Sequence, residues 1–204
     1  MKRLALLPLF ICALTLRADE AKPQLVAPGK SVAAPDLKES LSADWTVREG
    51  NWEVKDGEFI VAEIPAQKHA AVIWHHAGMQ SAVIDCEFKF DGAKGFLIGC
   101  DGPNKHVGRL VINSKSAKIS EDSTEVKGVH PGETLGEIKL NLDPGQWHTV
   151  HFEWAGSKMA ARIDGQELKG ESPKLEVKKV RWWFAVSGAT ARIRNIKAFE
   201  GKSE

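Results

Sequence analysis

From Trp45 onward the chain alternates apolar and polar residues in short runs, and Asp-Gly pairs interrupt those runs at Asp56, Asp91, Asp101 and Asp164. A period of two sends successive side chains to opposite faces of a strand, and Asp-Gly favours the positive backbone angles of a hairpin turn. Strands are therefore expected at 46–54, 58–64, 82–90, 95–100, 107–113, 117–121, 136–142, 147–154, 158–163, 166–169, 176–186 and 190–199. Only 36–43, PDLKESLS, carries the start signal and spacing of a short helix. So many short strands without amphipathic helices between them predict an all-β protein, a single two-sheet antiparallel β-sandwich.

The domain is expected at 36–204. Ahead of it, Lys2 and Arg3 precede the apolar run LALLPLFICALTL, which is too short to span a bilayer but suits the middle of a secretory signal. With Ala18 as a small residue at the cut, residues 1–18 read as a signal peptide and the protein as secreted or periplasmic. An uncleaved anchor is the other reading. Residues 19–35, DEAKPQLVAPGKSVAAP, read as a flexible leader. Cleavage removes Lys2, Arg3 and Arg17 from 28 basic side chains and nothing from 27 acidic ones, leaving a formal net of −2. That balance makes no case for nucleic acid or, once the signal is gone, for an anionic membrane.

In VIDCEFKFDGAKGFLIGCDG, a reversal at DGAKG would set Phe90 against Phe96 and Cys86 against Cys100. Ile84, Cys86, Phe88, Phe96, Ile98 and Cys100 would then share the core face. Directly opposed Cα atoms lie about 4.5 to 5.5 Å apart, within reach of a disulfide. Two buried thiols acting as small hydrophobes is the alternative.

The opposite parity supplies the candidate site residues. Asp85 and Glu87 project side by side, one way to present a general acid and a nucleophile. His151, Glu153 and Arg162 form a second outward set, either a polar cluster or a solvated ladder of charges. Trp182 and Trp183 must point to opposite sides. If Trp182 is core, Trp183 and Arg181 face out as a sugar-stacking platform and a hydroxyl donor. Trp74, His75 and His76, with His69, make a further patch that reads as pocket lining or loop. Its HxxxxxHH spacing suits no metal, and no metal site is expected.

Taken together, NWEVKDGEFIV, DCEFKFDGAKGFLIGCDG, LDPGQWHTVHFEWAGSKMAARIDGQEL and VSGATARIRNIKAFEG resemble a concanavalin A-like (laminin-G-type) jelly roll. In particular they resemble the secreted bacterial domains grouped with the 3-keto-disaccharide hydrolases. The resemblance covers roughly residues 44–200 and implies the fold more than the chemistry. Jelly-roll glucanases carry a strand motif of the type ExDxxE. The nearest match, Asp85-Cys86-Glu87, lacks the remaining acid, which speaks against that activity. The laminin-G likeness allows calcium, with Asp101 or Asp143 as loop ligands, but their spacing does not ask for it and no cofactor is expected.

Two functions follow as expectations. One is carbohydrate binding on the concave sheet or strand-end loops through Trp183, Arg181, Trp74 and Arg162. The other is a hydrolase or lyase acting on 3-keto-glycosides, with acid and base drawn from Asp85, Glu87, Glu153, His75, His76 and His151. A structural or protein-binding module completes the set.

Overall fold

The protein is described by a computed structural model over residues 22–38, 40–122 and 132–202. Its strands are β1 (Pro28–Ala33), β2 (Trp45–Glu49), β3 (Asn51–Lys55), β4 (Glu58–Ala62), β5 (Ala71–His75), β6 (Ala82–Asp101), β7 (His106–Ile112), β8 (Ser116–Glu121), β9 (Thr134–Lys139), β10 (His148–Ala155), β11 (Lys158–Ile163), β12 (Gln166–Glu171) and β13 (Arg181–Gly201). Among the described residues the strand pairings are antiparallel throughout.

Two long strands organise the molecule. The first half of β6 pairs with β10 and with the second half of β13, building one layer with β12, β11, β4, β3 and β1. The second half of β6 pairs with β7 and with the first half of β13, building the other layer with β2, β5, β8 and β9. Both strands turn the corner together where Gly92 (φ 97°) and Gly188 (φ 90°) take backbone angles open to glycine, and the register shifts there. The layers meet across Phe88 and Phe96, whose ring centroids are 5.1 Å apart, and where Met159 of β11 lies over Gly108 of β7. Phe59, Ile73, Ile84, Phe152, Trp154, Trp182 and Phe184 fill the space between them and are fully or almost fully buried. This is the expected all-β antiparallel sandwich.

The corner overturns the hairpin expected at DGAKG. A two-residue type I′ reversal needs positive φ at two consecutive residues. Asp56-Gly57 and Asp164-Gly165 have it, and they close the β3–β4 and β11–β12 hairpins. At 91–92 only Gly92 is positive, so the chain bends and runs on as β6. Cys86 and Cys100 therefore sit far apart on one strand, beside Val150 and Trp182 respectively. The disulfide gives way to two free, buried thiols.

Three further expectations change. The second half of the leader is not a free tether, because residues 28–33 are β1 and pair with the end of β13. The described part of 36–43 holds no helix: Leu37 adopts φ 54° and buries its side chain, and one isolated turn has too little cooperativity to resist that pull. Lys179 is buried with its ammonium on the carbonyls of Leu175 and Val177, so β13 starts at Arg181 and not at 176. The expected signal peptide lies outside the described residues.

Candidate functional site

The outer face of the second layer carries two parallel rows of side chains. Register places Trp74 of β5 beside Trp183 of β13, Trp183 beside Gly99 of β6, and Gly99 beside Arg109 of β7. One step along the strands, Val72, Ala185 and Leu97 form an apolar row. Apart from Gly99, which the Trp183 ring covers, these residues, with Arg48, Glu49, His69 and His106 at the rim, line a groove of about 340 Å³.

Trp183 keeps the outward parity expected of it but is only 3% exposed. Its indole lies over Gly99, where even a Cβ atom would come within 2.2 Å of the ring. Its Nε1 donates to Asp101 Oδ1 at 2.7 Å. Trp183 is thus the groove floor and not a free stacking platform. Trp74 is half-buried, and two guanidinium groups lie against its ring: Arg181 at 3.9 Å and Arg48 at 4.4 Å from the centroid. The sequence pattern had no signal for Arg48, Arg109 or His106, because each reaches the groove from a strand that becomes a neighbour only in the fold.

Asp101 holds this face together. Its carboxylate, 1% exposed, accepts from Trp183, from Arg181 Nε at 2.6 Å and pairs with His106 Nδ1 at 2.7 Å. Burial alone would raise the Asp101 carboxyl, but the hydrogen bonds from His106, Arg181 and Trp183 outweigh it and hold the pKa below the ordinary value. The same bond to Asp101 raises His106 above its ordinary value. Both Asp101 oxygens are thus engaged by N–H groups of the protein itself. Asp143 accepts from His148 through its backbone carbonyl. Among the described residues no group of three or more His, Cys, Asp or Glu is placed to hold a metal ion.

The remaining candidates go elsewhere. Asp85, His151 and Glu153 converge on the outer face of the first layer: His151 Nδ1 meets Asp85 Oδ1 at 2.6 Å and its Nε2 meets Glu153 Oε1 at 2.5 Å. Glu153 is 0% exposed and also accepts the backbone N–H groups of Gln24, Leu25 and Val26 at 2.6 to 3.0 Å. This triad anchors the N-terminal arm. Burial would lower the His151 pKa, yet the hydrogen bonds that its ring donates to Asp85 and Glu153 carry it to about 9. Arg162 is not in the groove; it pairs with Glu167 at 2.6 Å and donates to the Lys22 carbonyl. Glu87 is held by Arg194 and Asn195. His75 is buried between the rings of Trp45 and Trp182, where loss of solvent lowers its pKa. It also borders a second cavity, of about 310 Å³, with Asp44 and Trp45. His76 meets Thr46 Oγ1 at 2.8 Å on the surface.

Solved structures share this architecture. A carbohydrate-binding module, CBM66 from Bacillus subtilis, superposes with a TM-score of 0.63 at 13% identity, over 76% of this chain and 95% of its own. SCLam, a non-specific endo-β-1,3(4)-glucanase from family GH16, gives 0.64 at 10% identity, over 89% and 95%. The fold is a concanavalin A-like jelly roll. The exoplasmic/lumenal domain of VIP36, in its Ca2+/Man2-bound form, gives 0.61 at 11% identity, over 85% of this chain and 88% of that one. No family model matches this jelly roll, and no curated protein matches it in sequence. At such identities the likeness establishes the shape of the molecule alone.

Proposed function

We propose that the chain is an exported carbohydrate-binding domain and that saccharide lies in the groove floored by Trp183. The observation that carries this reading is the pairing of the two rows. Val72, Ala185 and Leu97 offer a flat apolar strip for the C–H face of a sugar ring, and the adjoining row offers N–H donors for its hydroxyls. Ala185 keeps the floor low enough for a ring to enter, and Gly99 does so by letting the Trp183 indole lie flat beneath it. Jelly rolls of the same shape are named for carbohydrate binding or for bound Man2, which supports the choice.

Hydrolysis of 3-keto-glycosides is the competing reading. It needs two titratable groups within hydrogen-bond reach of a substrate in an open cavity. Asp85, His151 and Glu153, the convergent set, instead bind one another and the N-terminal arm. Binding is therefore the stronger proposal.

Calorimetry of the protein against a panel of oligosaccharides, with product formation followed in parallel, tests it. The expected result is saturable heat without turnover, reduced at least tenfold by Ala185→Leu, which fills the floor. Turnover of a 3-keto-glucoside, or binding unaffected by Ala185→Leu, overturns it.

A further inference from the structure

The groove takes its charge from guanidinium groups whose partners are unequal. Arg181 is matched by Asp101, and Arg109 by Asp122 at 2.8 Å. Arg48 is exposed at the rim, and its guanidinium has no carboxylate within ion-pair distance among the described residues. Its recorded partner is the ring of Trp74, which it shares with Arg181. Two cations on one indole repel each other, and only one of them has a counter-ion. His106, whose Nδ1 is fixed on Asp101, also stands at the rim, and its other ring nitrogen donates only when the ring is protonated. Against these donors Glu49 is, among the described residues that line the groove, the one carboxylate.

We infer that the saccharide is acidic and that the groove binds the carboxylate of a uronic acid unit through Arg48. This rests on the groove being the saccharide site. The reasons are chemical. A neutral sugar stacks best on a bare indole face, but Trp183 is buried and Trp74 is overlaid by guanidinium. A planar guanidinium matches a carboxylate by two parallel N–H bonds, stronger than bonds to hydroxyls. A carboxylate at Arg48 would also supply the missing counter-ion beside Arg181. Glu49 sets the polarity: it repels a second acid group, so the charged unit is held at the Arg48 side.

The test is calorimetry with three probes: trigalacturonic acid, its methyl ester and cellotriose. The acid is expected to bind about tenfold or more tightly than the ester, the order of one charge-assisted hydrogen bond. The preference should collapse in molar salt, where the Debye length is about 3 Å. Arg48→Gln should remove the acid's advantage, read as the ratio of acid to ester affinity falling to about one, and Glu49→Gln should strengthen the acid. Both side chains lie at the rim, away from the core, so loss of folding does not confuse the result. An ester or cellotriose that binds as well as the acid, or an acid preference that survives Arg48→Gln, overturns this inference and leaves the carbohydrate reading standing. If none of the probes and no saccharide of the wider panel binds, both fall together.

Discussion

The indole of Trp183 occupies the space that a side chain at position 99 would fill, with the ring 2.2 Å from where a Cβ would stand. Glycine at 99 is thus a steric condition for the groove floor and for the Trp183–Asp101 bond. Gly99→Ala should expel the indole, cost about 1–3 kcal/mol of stability as an overpacked site does, and weaken saccharide binding. Urea denaturation together with near-ultraviolet circular dichroism checks it, and an unchanged indole signal would refute the account.

Glu153 should matter to the N-terminal arm and not to catalysis. Glu153→Gln leaves the His151 cation short of one buried partner and weakens the hold on the N–H groups of Gln24, Leu25 and Val26. Breaking a buried pair from one side costs about 3–5 kcal/mol. Limited proteolysis should cut the variant near residues 22–27 at protease levels that spare the parent.

The same triad sets a pH window. His151 has a folded pKa of about 9 against an ordinary 6.5, so its contribution is fully present below about pH 6.5 and is lost as pH rises through about 9. Glu153 has the opposite sign. Burial would raise its pKa, but the bonds from His151 and the arm lower it below 4.5. Its contribution is present above that value and lost as pH falls through the lower folded one. Melting temperature followed from pH 5 to 10 should fall on the alkaline side, and His151→Gln should flatten that limb.

Cys86 and Cys100 should behave as hydrophobic side chains. Burial pushes the Cys86 thiol well up and the Cys100 thiol up to about 12. Neither should react with a thiol reagent in the native protein, both should react in denaturant, and reductant should leave the melting temperature unchanged. A melting temperature that falls on reduction would restore the disulfide.

The parity of most strands was legible in the residues themselves. Ile84, Phe88, Phe152, Trp182 and Phe184 face the core as the alternation requires, and Arg181 and Trp183 take the other side. Trp74, Trp183 and Arg181, named as contacts from the sequence, meet in the fold around one groove, whereas Arg162 lies in the other layer. Strand β5 escaped notice because Ala71–His75 is flanked by histidines and no clear turn signal. Its absence hid the neighbour that brings Trp74 to Trp183.

Side-chain alternation is a local property of an extended backbone, so the chain's own order of residues determined which groups turn inward and that the result is a sandwich of antiparallel strands. Whether Asp91-Gly92 reverses the chain or merely bends it depends on β13 bending alongside. Strand partners come from distant positions and are selected by the packing of the whole core. Only the tertiary structure could therefore separate Cys86 from Cys100, seat Trp183 on Gly99, and bring Arg48 and Arg181 to the same ring.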